Sequence, residues 1–369
     1  MIKKRVAVLG ATGSIGKSSL DIILRNKPRI TGVEFEVVLL AAHSNRGDLE
    51  KISFQFPKAA CVLSGEVNGK EKLVNAIKDA GADITINGIS GAAGLEPSIT
   101  VIESGSNLAL ANKETAVMAG DLIFRMAKEK NVKIIPVDSE HSAVFHLLRG
   151  FSHELVNEII LTASGGPFRK LNAEELENVK PSDALRHPTW SMGKKITIDS
   201  ASMANKGLEI IEACAFFNVP PEKIKVVIHP QSIVHSMIKL SSGIIYAQLS
   251  RPDMRHPVHD ALYWPQTAPS DLNPLDFDCL KLEFEKPDSV KFPMLRLAVQ
   301  AAKQGSLYPC AYNAANEEAV SAFLEQKIKF TDIPKITEQV MQSDWSASGY
   351  DLETIQKADA DARALVRFP

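Results

Sequence analysis

The chain has 369 residues, 45% hydrophobic and 23% charged, with a formal net charge of −2 at pH 7. That length suits two or three domains of roughly 150 residues, and the near-neutral balance gives no electrostatic case for nucleic acid or an anionic membrane. The four cysteines form no CxxC or Cys/His cluster, which argues against a zinc site or a disulfide framework, and no apolar run reaches the ~18 residues of a membrane helix.

Met1 leads straight into a strand-like run rather than a targeting pattern, so a reducing, cytoplasmic setting is expected. Residues 5–9 read as a short strand, followed by Gly10-Ala-Thr-Gly13-Ser-Ile-Gly16 and a helical pattern over 17–25. Strand, glycine turn and helix form the context of a dinucleotide site: glycines admit the pyrophosphate, and the helix N-terminus offers free N–H groups. The spacing is GxxGxxG rather than GxGxxG, so a tight turn without ligand is the alternative. A second strand over 36–42 ends in His43-Ser44-Asn45-Arg46. An NAD site usually has a carboxylate here; hydroxyl, amide and cationic groups favour a 2′-phosphate, hence NADP(H). Ordinary surface residues are the other reading of the same tetrad.

The alternation continues with strands at 58–63, 83–89, 107–111 and 133–137. Helices are expected at 65–80, 91–104 and 114–130. Strands separated by helices of that length predict a parallel sheet covered on both faces. Ligands of such sheets bind beyond the carboxyl ends of the strands, where Asn112-Lys113-Glu114 and Asp138-Ser139-Glu140-His141 fall. Residues 1–130 are thus expected to form a Rossmann-like NADP-binding domain.

Residues 131–263 read as a central α+β catalytic domain. If the backbone stays extended past the strand at 133–137, Asp138 and Glu140 face one side and need a cation or proton between them. Equally, Asp138 caps a helix over 142–149 with Glu140 in its first turn. A strand over 158–163 leads into Ser164-Gly165-Gly166, a turn able to present N–H and hydroxyl groups to a phosphate. Residues 164–195, with one helical pattern at 172–179, read as a lid loop carrying Trp190 and Met192, with Trp190 as an ordinary core residue the alternative. A strand is expected at 195–198 and a helix from Ser202, with Ser200 and Ser202 as N-cap candidates. On that helix Asn205, Lys206 and Glu209 share one face. Amide, ammonium and carboxylate together suggest a phosphorylated, metal-bound ligand; a solvated face with a Lys–Glu pair is the alternative. Asp138, Glu140 and Glu209 supply three oxygen ligands suited to Mg2+ or Mn2+. Further strands are expected at 224–228, 234–240 and 244–249, with His229, His235 and His256 structural.

Residues 264–291 read as a linker and 292–369 as a helical bundle, with amphipathic patterns at 295–303, 314–326, 333–342 and 352–365. Asp332 and Asp351 are candidate caps. The bundle holds no clustered catalytic set, so scaffold and assembly roles are expected.

The motifs GATGSIG, ALANKE, PVDSEHSA, TASGGPF, HPTWSMGKKITIDSASMANKGLE, HPQSIVHSM and AQLSRPDMR together resemble the 1-deoxy-D-xylulose 5-phosphate reductoisomerase family, from end to end of the chain. The resemblance implies an NADPH- and metal-dependent enzyme of the non-mevalonate isoprenoid pathway, acting on a phosphosugar as a homodimer with Mg2+, Mn2+ or Co2+. It implies that Thr12, Gly13, Ser14 and Ile15 hold the cofactor pyrophosphate, that His43, Ser44 and Asn45 sit by the adenosine ribose phosphate, and that Asn112, Glu114 and Gly193 line the same site. Asp138, Glu140 and Glu209 match the metal ligands. Lys113 and Ser139 match groups on substrate hydroxyls. Ser164, Ser200, Asn205 and Lys206 match the phosphate set, closed over by His187 and Trp190. Two positions depart from the family pattern: His43 stands where Gly is frequent, and Ala204 where Met is usual.

Overall fold

The apolar run that opens the chain becomes the centre of a sheet. In the computed structural model, which describes residues 1–186, 189–190 and 192–368, two units form. One comprises Met1–Thr115, Ile123–Ser142 and Asp253–Asn273; the other comprises Ala116–Leu122, Ala143–Pro252 and the chain from Pro274.

The first unit holds six strands: β1 (Ile2–Leu9), β2 (Val33–Ala42), β3 (Ala60–Leu63), β4 (Ile84–Asn87), β5 (Asn107–Leu110) and β6 (Ile134–Pro136). Their order is β3-β2-β1-β4-β5-β6, with every pair parallel. The chain therefore builds outward from β1 to one edge, then returns to build the other half, leaving a switch point between β1 and β4. Val6 to Leu9 and Ile84 to Asn87 are buried throughout, as central parallel strands require. The two polar residues among them are satisfied: Thr85 Oγ1 lies 3.0 Å from Ser106 Oγ, and Asn87 Nδ2 donates to Gly94 O and Ser98 Oγ.

The helix expected from 65 begins at Gly69. Residues 64–68 instead close a turn on β2, with the Ser64 and Gly65 N–H groups donating to Ala42 O and His43 O. The helix expected from 91 starts as a 3-10 turn, Ala92–Gly94, and becomes regular over Leu95–Glu103. Residues 255–263, for which no element was expected, form the Arg255–Tyr263 helix and pack in the first unit. Arg255 Nη1 donates to Asp21 at 3.0 Å and Tyr263 Oη to Asn26 at 2.7 Å, both beside the Ser14–Arg25 helix.

The second unit holds β7 (Val156–Ala163), β8 (Ile224–Ile228), β9 (Val234–Leu240) and β10 (Ile245–Leu249) in the order β10-β9-β7-β8. β7 and β8 are parallel; β9 runs antiparallel to both β7 and β10. The four C-terminal helices are Pro293–Gln304, Tyr308–Leu324, Asp332–Met341 and Leu352–Leu365. Leu208, Ile211 and Phe217 of the Ala204–Phe217 helix share one core with Met294, Leu297, Tyr312 and Phe323. Asp351 caps the last helix by accepting from Thr354 N–H at 2.8 Å; Asp332 lies one residue inside its helix, whose N-cap is Thr331. Among the described residues no helix is long and apolar enough to cross a membrane.

Residues 195–198 are helix, not strand: Lys194–Ala201 is one helical element. Ile196, Thr197 and Ile198 favour a strand by themselves, but local bonds win. Thr197 returns its N–H and its hydroxyl to Gly193 O, and Lys195 pairs with Asp199 one turn on. The next helix starts at Ala204, not Ser202, because Met203 takes a left-handed φ of 64° that breaks the chain into two helices. Ser202 serves as the joint, its Oγ accepting from Ala204 N–H at 3.3 Å, while Ser200 lies inside the first helix.

Much of the expected lid is anchored. Phe168, Leu176 and Ala184 are buried in the second unit's core, and short helices stand at Ala173–Glu177 and Pro181–Ala184.

Candidate active site

In the first unit the turn after β1 carries Thr12, Gly13, Ser14 and Ile15. Gly13 occupies the N-cap of the Ser14–Arg25 helix without a side-chain cap, so a helix N-terminus and its N–H groups open at the sheet's switch point. Gly16 has a packing reason: a Cβ there would stand 2.3 Å from Gly10 O and 2.5 Å from Ala11 Cα. The helix can lie this close to the turn only without a side chain.

His43, Ser44 and Asn45 follow β2 and are exposed. Their environment is more occupied than the sequence suggests. Asn45 Oδ1 is spent capping the Arg46–Ser53 helix, accepting from Asp48 N–H at 3.1 Å. Arg46 is held by Glu66 and lies 3.9 Å from Glu50. His43 Nδ1 lies 3.3 Å from Ser64 Oγ.

Asn112 is buried at the head of the Lys113–Lys130 helix and carries much of the local order. Its Oδ1 accepts from Thr115 N–H at 2.9 Å, and its Nδ2 donates to Ile89 O, Gly91 O and Glu114 Oε2. The amide thus ties the turn after β4 to the helix after β5 and orients buried Glu114. Both residues expected to line the cofactor site are therefore rigid.

Lys113 and Asp138 stand beyond the ends of neighbouring strands β5 and β6, 2.5 Å apart. Burial alone would raise the Asp138 carboxyl. The Lys113 ammonium, His141 and a hydrogen bond with Glu140 outweigh it and hold the carboxyl well below the usual carboxylate range. The backbone does not stay extended past Asp138: the helix Ser139–Leu148 begins at once, with Ser142 N–H donating to Asp138 O at 2.8 Å. Asp138 thus occupies the capping position and Glu140 the first turn, where Glu140 Oε2 accepts from Ser139 Oγ at 2.5 Å.

The second unit carries the other candidates. Glu209 is 0% exposed and Lys206 3%, so their face is not a solvated one. Lys206 pairs with Glu209 Oε2, and Asn205 Nδ2 donates to Glu209 Oε1 at 2.6 Å. Ser164, after β7, accepts from Gly166 N–H at 3.3 Å. Gly166 has φ 67°, and a Cβ on it would meet Ser200 O at 2.7 Å, so this glycine lets the Ser164 turn lie against the Ser200 turn. Gly193 caps the Lys194–Ala201 helix. Trp190 is half-buried, its ring 6.4 Å from that of His235. His187 lies outside the described residues. Of the three histidines expected to be structural, His229 is buried and stacked on Phe284, its Nδ1 2.8 Å from Glu283 O, and His235 Nε2 lies 2.9 Å from Ser250 Oγ; His256 belongs to the first unit, where burial lowers its pKa.

Sequence reasoning missed Asp199. It is 1% exposed and bonded to Lys195 at 2.9 Å and Asn316 at 2.8 Å. The i, i+4 spacing of Lys195 and Asp199 was the available signal, hidden because those residues read as a strand.

Comparison with known proteins covers nearly all of the chain. Residues 6–67 and 64–120 match the family model of 1-deoxy-D-xylulose 5-phosphate reductoisomerase, residues 134–217 match that enzyme's C-terminal domain, and residues 249–365 match a further DXP reductoisomerase C-terminal domain. The chain is 49% identical over 373 residues to the 1-deoxy-D-xylulose 5-phosphate reductoisomerase of Treponema denticola, covering 99% of this chain and 97% of the relative. It is 47% identical to that of Prosthecochloris aestuarii, covering 98% of each. Among solved structures, the Zymomonas mobilis reductoisomerase in complex with NADPH is 40% identical and superimposes with a TM-score of 0.89, over 99% of this chain and 98% of that one. A DOX-P reductoisomerase in complex with NADPH, fosmidomycin and magnesium gives 35% identity and a TM-score of 0.86, over 98% and 97%.

Proposed function

Since the chain belongs to the 1-deoxy-D-xylulose 5-phosphate reductoisomerase family, we propose that it converts 1-deoxy-D-xylulose 5-phosphate to 2-C-methyl-D-erythritol 4-phosphate, by skeletal rearrangement and then reduction, with NADPH and a divalent ion. The observation that carries the reading, beside family membership, is the buried Lys113–Asp138 pair at the carboxyl edge of the parallel sheet. It puts an ionised carboxylate and an ammonium where such sheets bind their ligands.

The residues present fit both groups. For the cofactor, the uncapped helix N-terminus at Gly13 and the side-chain-free approach at Gly16 suit a pyrophosphate. Thr12, Gly13, Ser14 and Ile15 would hold it, with His43, Ser44 and Asn45 near the 2′-phosphate and Asn112, Glu114 and Gly193 along the remainder. NADPH supplies a hydride to the aldehyde formed by rearrangement. For the metal, Asp138, Glu140 and Glu209 would supply an all-oxygen donor set suited to Mg2+ or Mn2+, with Co2+ a further option. Asp138 is held ionised and Glu209 is buried among two donors, as ligands of a hard cation should be. The ion supplies Lewis-acid polarisation of the substrate's ketone and hydroxyl oxygens.

The chain's own side chains do the rest. Lys113 would stabilise oxyanion charge that develops as the carbon–carbon bond breaks and re-forms, and Ser139 would orient a substrate hydroxyl. Ser164, Ser200, Asn205 and Lys206 would bind the phosphate. That anchorage, remote from the reacting carbons, fixes orientation. His187 and Trp190 would cover the bound sugar and exclude water. In this reading residues 1–130 act as the NADPH-binding part, 131–263 as the catalytic part, 264–291 as a linker and 292–369 as scaffold.

We also assign a homodimer working in the cytoplasm. The assembly is supported by β10, an edge strand that exposes Ile245 and Tyr246, beside exposed Ile244. Light scattering at micromolar protein should give twice the chain mass, and a single-chain mass overturns it. The activity is tested by product analysis: carbon NMR of the phosphosugar incubated with enzyme, NADPH and Mg2+ should show a branched methyltetritol phosphate. An unbranched reduced sugar, or unchanged substrate with folded enzyme, rejects the reading.

A further inference from the structure

Behind the Lys194–Ala201 helix runs a chain of polar groups that the proposed reaction does not use. Asp199 is 1% exposed. Its Oδ2 accepts from Lys195 Nζ at 2.9 Å, and its Oδ1 accepts from Asn316 Nδ2 at 2.8 Å, across a sequence separation of 117 residues. Lys195 also lies 4.0 Å from Glu317, which holds Arg363 of the last helix at 2.6 Å. Arg363 is fixed in turn by Glu318 and Asp359, at 2.8 Å each.

A buried carboxylate is costly, and a well-packed apolar group at the same place is often as stable or more so. The pair therefore needs a reason other than stability. The bond from Asn316, on the Tyr308–Leu324 helix, ties down the rotation of the Asp199 helix, which apolar packing does poorly, while Lys195, one turn back on the same helix, holds the other carboxylate oxygen. That helix carries Ser200 as the next residue and Gly193 as its cap, and the Ser200 backbone lies against the Gly166 turn that bears Ser164. Successive residues on a helix stand about 100° apart, so a fixed Asp199 sets the direction of Ser200.

We propose that Asp199 is a positioning residue: through Lys195 and Asn316 it holds Ser200 in register with Ser164, Asn205 and Lys206 so that the four converge on the substrate phosphate. The proposal rests on the reading above, in which those residues bind phosphate. Asp199 itself touches no substrate. The outer links through Glu317 and Arg363 tie the last helix to the same geometry.

The test uses the full-length enzyme with Mg2+ and NADPH, and compares wild type with Asp199→Asn, Asn316→Asp and the double variant. Asp199→Asn keeps the shape and can still meet Asn316. It should raise KM for deoxyxylulose phosphate, and the inhibition constant of inorganic phosphate, by about tenfold or more, since misplacing a binding group by about 1 Å can cost a hundredfold. The NADPH dissociation constant should stay within about twofold and the melting temperature within the few degrees of an ordinary substitution. Asn316→Asp sets two carboxylates together and should weaken phosphate similarly. The double variant restores one carboxylate and one amide with their roles exchanged, and should recover most of the loss. Should Asp199→Asn fail to fold, Asn316→Ala, which removes the donor to Asp199, carries the same expectation. Wild-type values of KM and phosphate inhibition in Asp199→Asn, or losses that track equal losses in NADPH affinity and melting temperature, overturn the proposal. If the wild type itself does not turn over the phosphosugar, or if Ser200→Ala leaves phosphate inhibition unchanged, the parent reading fails as well; if both controls pass, failure of Asp199→Asn falls on this proposal alone.

Discussion

The Lys113 ammonium lies 2.5 Å from the Asp138 carboxylate, and the two side chains are only 7% and 12% exposed. They come from the ends of adjacent strands, so the sheet itself sets their separation. Removing one member of such a pair strands the other's charge. Lys113→Met should destabilise the fold by about 3 kcal/mol in denaturant melts, and should lower turnover more than it weakens NADPH binding. A variant of wild-type stability would mean that Asp138 has other compensation.

Gly16 lets its helix lie against the glycine turn after β1. Gly16→Ala puts a methyl 2.3 Å from Gly10 O, so the turn must move. NADPH affinity should fall by roughly tenfold or more, because a shift of about 1 Å in a binding element is already expensive. Fluorescence titration of NADPH measures it; wild-type affinity in the variant would place the pyrophosphate elsewhere.

Gly166→Ala combines a left-handed φ of 67° with a Cβ 2.7 Å from Ser200 O. The backbone strain costs on the order of 1 kcal/mol, and the displaced contact separates Ser164 from Ser200. The expected signature is a raised KM for the phosphosugar with NADPH affinity preserved. A raised NADPH dissociation constant with unchanged KM contradicts it.

Sequence patterning reached the parallel sheet, the β1 glycine turn and the later strands because each is dictated by local periodicity. β8 and β9 fall where alternation predicts them, at Ile224–Ile228 and Val234–Leu240. The Ile-Thr-Ile run before Ser200 misled, because β-branched residues read as strand while the Gly193 cap and the Lys195–Asp199 pair impose helix. Burial within the expected lid was not legible either: Phe168 follows a Ser/Gly turn in sequence, yet it is buried in the second unit's core. The long-range bonds of Asn112 and Asp199 were illegible for another reason: their partners Ile89 and Asn316 lie 23 and 117 residues away, and no local pattern names them.

Acid should loosen the first unit through a defined pair of carboxyls. Asp21 accepts from Arg25 at 2.8 Å and Arg255 at 3.0 Å, and Asp253 accepts from Arg255 at 2.7 Å. Burial pushes both carboxyls up, but the arginine hydrogen bonds outweigh it and hold them below the ordinary range. A carboxyl with a depressed folded pKa contributes fully above its unfolded pKa, roughly 3.9 for Asp, and that contribution is lost as pH falls through the folded value. Arg255→Met should therefore cost about 1 kcal/mol at neutral pH, with the gap to wild type narrowing below about pH 4. Denaturant melts at the two pH values measure this, and a gap that widens in acid has the wrong sign.

In the proposed reaction a metal-dependent rearrangement precedes hydride transfer. The direct measurement is NADPH oxidation in the presence of 1-deoxy-D-xylulose 5-phosphate, followed at the reduced-nicotinamide absorbance, with Mg2+, with EDTA, and with Glu209→Gln in place of wild type. The expected result is steady loss of signal in the first case, its arrest by EDTA with recovery on added Mg2+, and near-complete loss of turnover in Glu209→Gln while NADPH still binds. Oxidation that continues unchanged in EDTA and in Glu209→Gln would contradict it.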